Sequence, residues 1–530
     1  MRYLPLLALV ACASHQPDLS RSISNSTEWD KYFQDITLRS GVDSAPSTTV
    51  VFGDYNNDGK VDFIAHNRLY ENTSTPDEVS FLDVTAKWNL TLEGQPMFMD
   101  INNDQLLDII TTKGQVYLRK QRSFTESSKQ LGLNLPADTF SMGFGDLNND
   151  GYADLIIGRS ETHQDNKFTF VPPKIYFNKN GKSFKDVSED FKLEKNPAYV
   201  RGIHLADYDN DGKVEIYFSN YRLRQNFLLK DKKDIAPTIG VDGDIDDERF
   251  YDNHHKRKFG PLYGHTIGSA WADMNNDGFL DLFVSNLVHK YVGPSGNGGY
   301  DHRGYLCDDS KIYRNSGAPD YTFQNVRETS ELPVMPIGGK GIYKGDELWA
   351  HVTSADYDND GFLDFYVTQV YDLPYATAKL FKNMGNFKFK DASSHTPQLL
   401  DSYAGAWADL NNDGKMDLII SGRETKGAAP ALKVLLNVQD NKNNYLKVKL
   451  MGKKSGTIPV ATQVKVFHEG GVFLRQVDGV TGTFNQQNDP VLHFGLGEVS
   501  KITRVEVRWT GGKKQIIGNA KINSLLTVAE

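Results

Sequence analysis

The sequence predicts an all-β chain: a seven-bladed β-propeller with cation-binding loops, followed by a small β-sandwich. Three observations carry that prediction. An acidic nonapeptide, Asp-x-Asx-x-Asp-Gly-x-x-Asp/Glu, recurs seven times, beginning at Asp54, Asp100, Asp146, Asp207, Asp273, Asp356 and Asp409. Each copy runs into a short apolar β-type segment, and a unit repeated at such spacing means a repeat architecture. After about residue 443 the nonapeptide stops and plain alternating strands take over.

The loops come first because their chemistry is the most specific. Alternating oxygen-bearing side chains, with a Gly that permits the sharp turn, suit the wrap-around oxygen shell of Ca²⁺. Positions 1, 3 and 5 are Asp54, Asn56 and Asp58; Asp100, Asn102 and Asp104; Asp146, Asn148 and Asp150; and Asp207, Asp209 and Asp211. The later copies supply Asp273, Asn275 and Asp277; Asp356, Asp358 and Asp360; and Asp409, Asn411 and Asp413. Position 7 adds Lys60, Tyr152, Lys213, Phe279, Phe362 and Lys415, residues that can serve a cation only through the main chain.

An EF-hand would place a bidentate Glu at position 12 and a helix beyond it. Here position 12 is Ala65, Thr111, Ile157, Phe218, Val284, Val367 or Ile420, none of which binds a hard cation. The last ligand falls instead at position 9, as Asp62, Asp108, Asp154, Glu215, Asp281, Asp364 and Asp417. The loop therefore joins two strands. Asx turns without metal are the alternative. Three or four carboxylates within nine residues nonetheless repel unless a cation lies among them. Up to seven Ca²⁺ are expected, the Asp100 loop being weakest because Gln105 replaces its Gly.

Each unit has further parts. A second strand ends in an Asn-like turn, as in Leu69–Asn72 or Leu380–Asn383, and a third segment has the form Phe-x-Asp-Val-Thr, as at Phe81 and Phe184. With the strand leading into the loop this makes four strands, a propeller blade. The seventh unit lacks its Phe-x-Asp segment, and a spare copy, Phe33-Gln34-Asp35-Ile36-Thr37, precedes the first loop. That spare strand is expected to complete the seventh blade and remove the open edges. Residues 28–440 then form the propeller and 443–530 the sandwich. Insertions at 231–262 and 288–346 lengthen the middle blades and are candidate specificity elements.

The net charge of -9 comes with 68 acidic residues, about a third of them in the loops. Seven Ca²⁺ would turn that balance positive, so the acidity belongs to ion sites. No Lys/Arg-rich tract suggests a nucleic-acid partner. Residues 1–11 read as a signal peptide too short to span a bilayer, with 12–27 a tether. Leu9-Val10-Ala11-Cys12 resembles a lipobox, which predicts acylation of Cys12 and a lipid-anchored protein at the outer membrane or cell surface. An ordinary signal ending near Ala13, giving a secreted or periplasmic protein, is the alternative. Cys307 then stands alone and no intrachain disulfide forms.

His493-Phe494-Gly495-Leu496-Gly497 with Val505-Glu506-Val507-Arg508-Trp509 resembles the signature of the ASPIC/UnbV domain, and the loops resemble FG-GAP (VCBS-type) repeats. The chain is thus similar to the cartilage acidic protein-like family, as a bacterial lipoprotein member. The resemblance implies a Ca²⁺ propeller joined to a transthyretin-like sandwich, and extracellular interaction rather than catalysis. The expected function is a cell-surface binding or adhesion scaffold for a protein or glycan. The alternative is a carbohydrate-active enzyme using an axial pocket. Reading back from the loops places Arg201, His265, Glu347 and His351 at that axis, with Gln95, His204, Trp349 and Tyr403 beside them. Filling and hydrating a channel is the competing role for all of them.

Overall fold

The computed structural model describes residues 28–530 except 76–77, 165–166, 196, 222–223, 231–233, 237–250, 253–256, 259–264, 288–309, 334–346 and 373–376. Cys12, Cys307 and most of the 231–262 and 288–346 insertions therefore lie outside the described residues. Helix among the described residues is confined to short 3-10 turns, and everything else regular is strand.

Residues 33–437 form seven four-stranded antiparallel sheets, six of them in simple chain order. The first comprises Val50–Gly53, Asp62–Ala65, Arg68–Asn72 and Phe81–Asp83. The first strands of the other six are Pro96–Met99, Thr139–Gly145, Tyr199–Ala206, Thr266–Ala272, Trp349–Ala355 and Leu400–Ala408. The seventh sheet is assembled from both ends of this region. Phe33–Asp35 pairs antiparallel with Ala431–Asn437, Phe33 opposite Asn437 and Asp35 opposite Leu435.

First and second strands are mostly apolar and buried on both faces, the second opening on the position-9 acid, because each sheet is packed between two others. Phe63 stacks on Tyr70 at 4.8 Å and meets Phe81 edge-on at 5.0 Å. The core containing Val50, Phe52 and Phe63 of the first sheet is continuous with Ala404, Ala406, Ile419 and Val434 of the seventh. Phe33 is fully buried between Tyr357 and Trp407.

The carboxy-terminal unit has two sheets. One holds Gly471–Gln476, Gln463–His468, Arg504–Arg508 and Lys514–Gly518. The other holds Leu492–Gly497, Asn444–Met451 and Leu525–Ala529. The sequence suggests a purely antiparallel sandwich, but Leu525–Ala529 runs parallel to Asn444–Met451. The unit does not stand apart: Phe144 and Leu205 of the sheets share a core with Val460, Val477 and Trp509.

Candidate metal loops and a plugged axis

Every nonapeptide lies between the first and second strand of its sheet, and all seven adopt one conformation. Position 1 folds the loop onto itself. Asp54 accepts the N–H groups of Asp58 and Gly59 at 3.0 and 3.1 Å, and Asp356 those of Asp360 and Gly361 at 3.0 and 2.8 Å. Position 5 accepts the N–H of position 7, as Asp58 does from Lys60 at 2.9 Å. Position 6 is left-handed throughout, Gly59 at φ 85° and Gly361 at φ 100°. Gln105 takes φ 69° and still donates its N–H to Asp100 at 2.8 Å. The loop lacking the Gly keeps the common shape at the cost of a strained residue.

Position 9 begins the second strand and is buried completely or nearly so in all seven copies. In six of them its carboxylate is a clamp. Asp62 accepts the N–H of Tyr55 at 3.1 Å and of Asn72 at 2.7 Å, and Asp417 those of Leu410 at 2.8 Å and Asn437 at 2.7 Å. Burial, reinforced by the neighbouring loop carboxylates, pushes Asp62 and Asp154 up to about 8 and Glu215 up to about 10. Asp108, Asp281, Asp364 and Asp417 are raised well above the usual range for the same reasons.

Two loops meet the geometric requirement for a cation most directly. Ligand oxygens of Asp207, Asp209 and Glu215 lie within 4.8 Å of one another, as do those of Asp356, Asp358 and Asp360. Both Glu215 oxygens, one oxygen of Asp207 and one of Asp358 are buried without a hydrogen-bond partner. Unpartnered anionic oxygens in an all-oxygen set fit a hard cation such as Ca²⁺. These are the only two loops with Asp at position 3, and each draws a lysine from its own third strand. Lys230 pairs with Asp209, and Lys382 with Asp358 and, at 3.0 Å, Asp360. The two lysines occupy equivalent register positions.

A signal absent from the loop pattern also matters. Position 4 is Asn in all seven copies, and in five its amide reaches the next loop's position-6 carbonyl. Asn57 donates to Gln105, Asn103 to Gly151, Asn276 to Gly361, Asn359 to Gly414 and Asn412 to Gly59. A second set of latches runs the other way. The Asn ending the third strand donates to the position-2 carbonyl of the preceding unit, Asn178 to Ile101 at 2.7 Å and Asn437 to Tyr357 at 2.7 Å. Asn72 of the first unit likewise donates to the position-2 carbonyl of the seventh, Leu410, at 3.0 Å.

The carboxy-terminal unit sits on this loop face and brings cations to it. Lys447 pairs with Asp409 and Lys449 with Asp54, at 2.7 and 3.1 Å. Arg475 stands 3.8 Å from Asp356 and Arg508 4.0 Å from Asp207. Thr457 donates to Asp100. Lys447 and Lys449 alternate along one strand, so both point to the same side.

From the same unit, residues 477–491 enter the axis defined by the seven first strands. Gln487 accepts the N–H of Phe98 through its side chain at 2.7 Å, and its main chain bonds Val50 and Phe52. Gly482 donates to Ser269 at 3.3 Å, and Thr483 Oγ1 donates to the Arg201 carbonyl at 3.0 Å. Gln486 takes the N–H of Gly405 at 2.8 Å and donates to Tyr403 at 2.9 Å. Asn488 accepts the N–H of Trp407 at 3.0 Å. A polar segment thereby satisfies main-chain groups that the first strands leave unpaired.

The four sequence-predicted axial residues have separate sets of partners. His351 is wholly buried: Nε2 donates to the Gly405 carbonyl at 2.7 Å, and Nδ1 accepts the N–H of Thr483 at 3.1 Å. Burial pushes it down to about 3. Glu347 forms a buried ion pair with Arg327 at 3.0 Å and accepts the N–H of Ser310. His265 packs edge-on against Tyr221. Arg201 lies among aromatic rings. Among the described residues no metal-type cluster forms at the axis. The segment that fills it reads in sequence as an ordinary polar loop, and its bonds span too many residues for spacing to reveal.

Residues 100–157 and 356–420 match the FG-GAP-like repeat family, and 452–530 match ASPIC and UnbV. The chain is 25% identical over 344 residues to cartilage acidic protein 1 of Xenopus tropicalis, covering 62% of this chain and 45% of that protein. It is 26% identical over 369 residues to cartilage acidic protein 1 of Homo sapiens, covering 65% and 46%. The chain thus spans about half the length of these curated relatives. A lectin of Agrocybe aegerita that recognises non-reducing terminal N-acetylglucosamine aligns over 74% of this chain and 94% of its own, with a TM-score of 0.39 and 14% identity. That likeness is too loose to carry an argument. The chain thus contains FG-GAP-like repeats and a carboxy-terminal ASPIC/UnbV domain, and is similar in sequence to cartilage acidic protein 1.

Proposed function

We propose that the protein is an exported, Ca²⁺-stabilised, non-catalytic binding scaffold whose seven sheets are the blades of one closed β-propeller. The latches Asn412 to Gly59 and Asn72 to Leu410, together with the pairing of Phe33–Asp35, support closure. The orphaned oxygens of Glu215 and the clusters at Asp207 and Asp356 support the cation. The ion would hold the loops rigid and offset carboxylates that the fold buries. Among the described residues no helix is long and apolar enough to cross a membrane. Export, with anchoring through Cys12, rests on the amino-terminal pattern.

The observation that carries the non-catalytic reading is the occupied axis. His351, which a catalytic pocket would need accessible and titratable, is kept neutral by burial and has both ring nitrogens taken by main-chain partners, one of them from the plug. The faces left for a ligand are the blade edges and the end of the disc away from the loops. The test is capture of proteins and glycans by the Ca²⁺-loaded mature chain, beside turnover assays on the same glycans. Saturable binding without turnover supports the reading; cleavage of a bound polysaccharide overturns it.

A further inference from the structure

The end of the axis away from the loops carries a cation with no ion-pair partner among the described residues. Arg201 lies near the start of the strand Tyr199–Ala206, on the side opposite the loop at Asp207. Its guanidinium carbon stands 4.4, 4.5 and 4.6 Å from the ring centres of Tyr199, Tyr221 and Phe140. Phe484, at the tip of the plug, completes the surround at 5.9 Å and itself packs on Phe140 and Tyr403. Three sheets and the plug thus contribute to one aromatic basin. Other arginines at these strand ends have acidic partners, Arg159 with Asp138 and Arg423 with Asp401. Among the described residues Arg201 makes no ion pair, its side chain donates no hydrogen bond, and its Nε is buried without a partner. The side chain remains partly exposed. A second arginine, the exposed Arg224, lies 4.0 Å over Phe170, which packs on the same cluster.

Ring faces stabilise a guanidinium by cation–π attraction and hold it in one place, yet satisfy none of its five donors. A guanidinium held in one place, partly exposed and with its donors unpaired, calls for an oxyanion, and arginine binds carboxylates and sulfates bidentately. The surrounding rings add flat apolar faces suited to the C–H face of a sugar. We propose that this basin is a binding site for an acidic saccharide, with Arg201 meeting a uronate or sulfate group and Tyr403 or Phe140 packing on the sugar ring. The site is complete only with Phe484 in place, so the carboxy-terminal domain contributes to it through the plug. This inference rests on the scaffold reading and gives it a ligand class and a face.

The experiment is calorimetric titration of the Ca²⁺-loaded mature protein with oligogalacturonate, chondroitin sulfate, neutral dextran and poly-glutamate. Binding of an acidic saccharide, at least tenfold weakened in Arg201→Gln at unchanged melting temperature and partly retained in Arg201→Lys, supports the site. Arg201→Lys keeps the charge and guards against a folding defect in the first variant. Acidic-saccharide binding indifferent to both substitutions overturns the proposal, as does no saccharide binding. Poly-glutamate binding of equal strength also overturns it, in favour of an acidic peptide. Absence of saccharide binding in a protein that still captures a protein partner would overturn this site and leave the scaffold reading standing.

Discussion

Thr483 donates its backbone N–H to Nδ1 of His351 at 3.1 Å, joining the carboxy-terminal domain to the sixth sheet inside the axis. The bond fixes the imidazole in the tautomer that donates from Nε2 to Gly405. It also ties two regions 132 residues apart into one folding unit. Stability of the sheets and seating of the plug are therefore expected to be measured together.

Gly482 tests the plug. It is left-handed at φ 62°, and a Cβ there would stand 1.6 Å from His351 Nδ1. Gly482→Val combines backbone strain with a clash against a locked ring, costing about 3 kcal/mol or more. Scanning calorimetry should show a single transition shifted down by several degrees; an unchanged midpoint would mean the plug is not seated as described.

Phe33 tests closure by the amino-terminal strand. It is fully buried, whereas Leu38 nearby is 87% exposed. Phe33→Ala should cost about 3–5 kcal/mol in urea unfolding, and Leu38→Ala almost nothing. Equal small effects would show that the strand is dispensable.

His351 also predicts an acid sensitivity. Its folded pKa is lowered to about 3, against an ordinary value of 6.5. Below 6.5 the unfolded chain takes up a proton that the folded chain refuses, so stability falls between 6.5 and 3. The loss is at most about 1.4 kcal/mol per pH unit for one such group. His204, lowered to about 4, adds to it over a narrower window. Stability of His351→Gln, measured by urea unfolding from pH 7 to 4, should fall less steeply; parallel profiles would contradict the buried neutral imidazole.

Much of this was legible in the chain because it is local. The loop pattern and the position-9 acid bond mostly within their own unit; the spare Phe33 segment, whose partner strand Ala431–Asn437 lies at the other end of the repeats, was legible only because the seventh unit lacks its own copy. The Gln105 loop was legible as a departure, although it retains the common shape at φ 69°. What spacing could not show is contact between distant segments. The position-4 asparagines were visible as a repeat, but a side chain reaching the next loop has no periodic signature. Lys447 and Lys449 read as the polar face of a strand, whereas they meet Asp409 and Asp54. The plug is a polar stretch containing a single large apolar residue, Phe484, and its partners come from first strands throughout the chain. The axial residues left pocket and filled channel both open for the same reason: sequence places strand ends together without saying what lies between them.

The most direct test of the central claim, a closed scaffold held by calcium in its loops, is a thermal melt of the mature protein with saturating Ca²⁺ and with EDTA. Each occupied site contributes about 2.7 kcal/mol at a hundredfold excess over its Kd. The account predicts a midpoint several degrees higher with Ca²⁺, and a smaller increment when Glu215→Gln removes the orphaned carboxylate. A midpoint that is the same in Ca²⁺ and EDTA would contradict it.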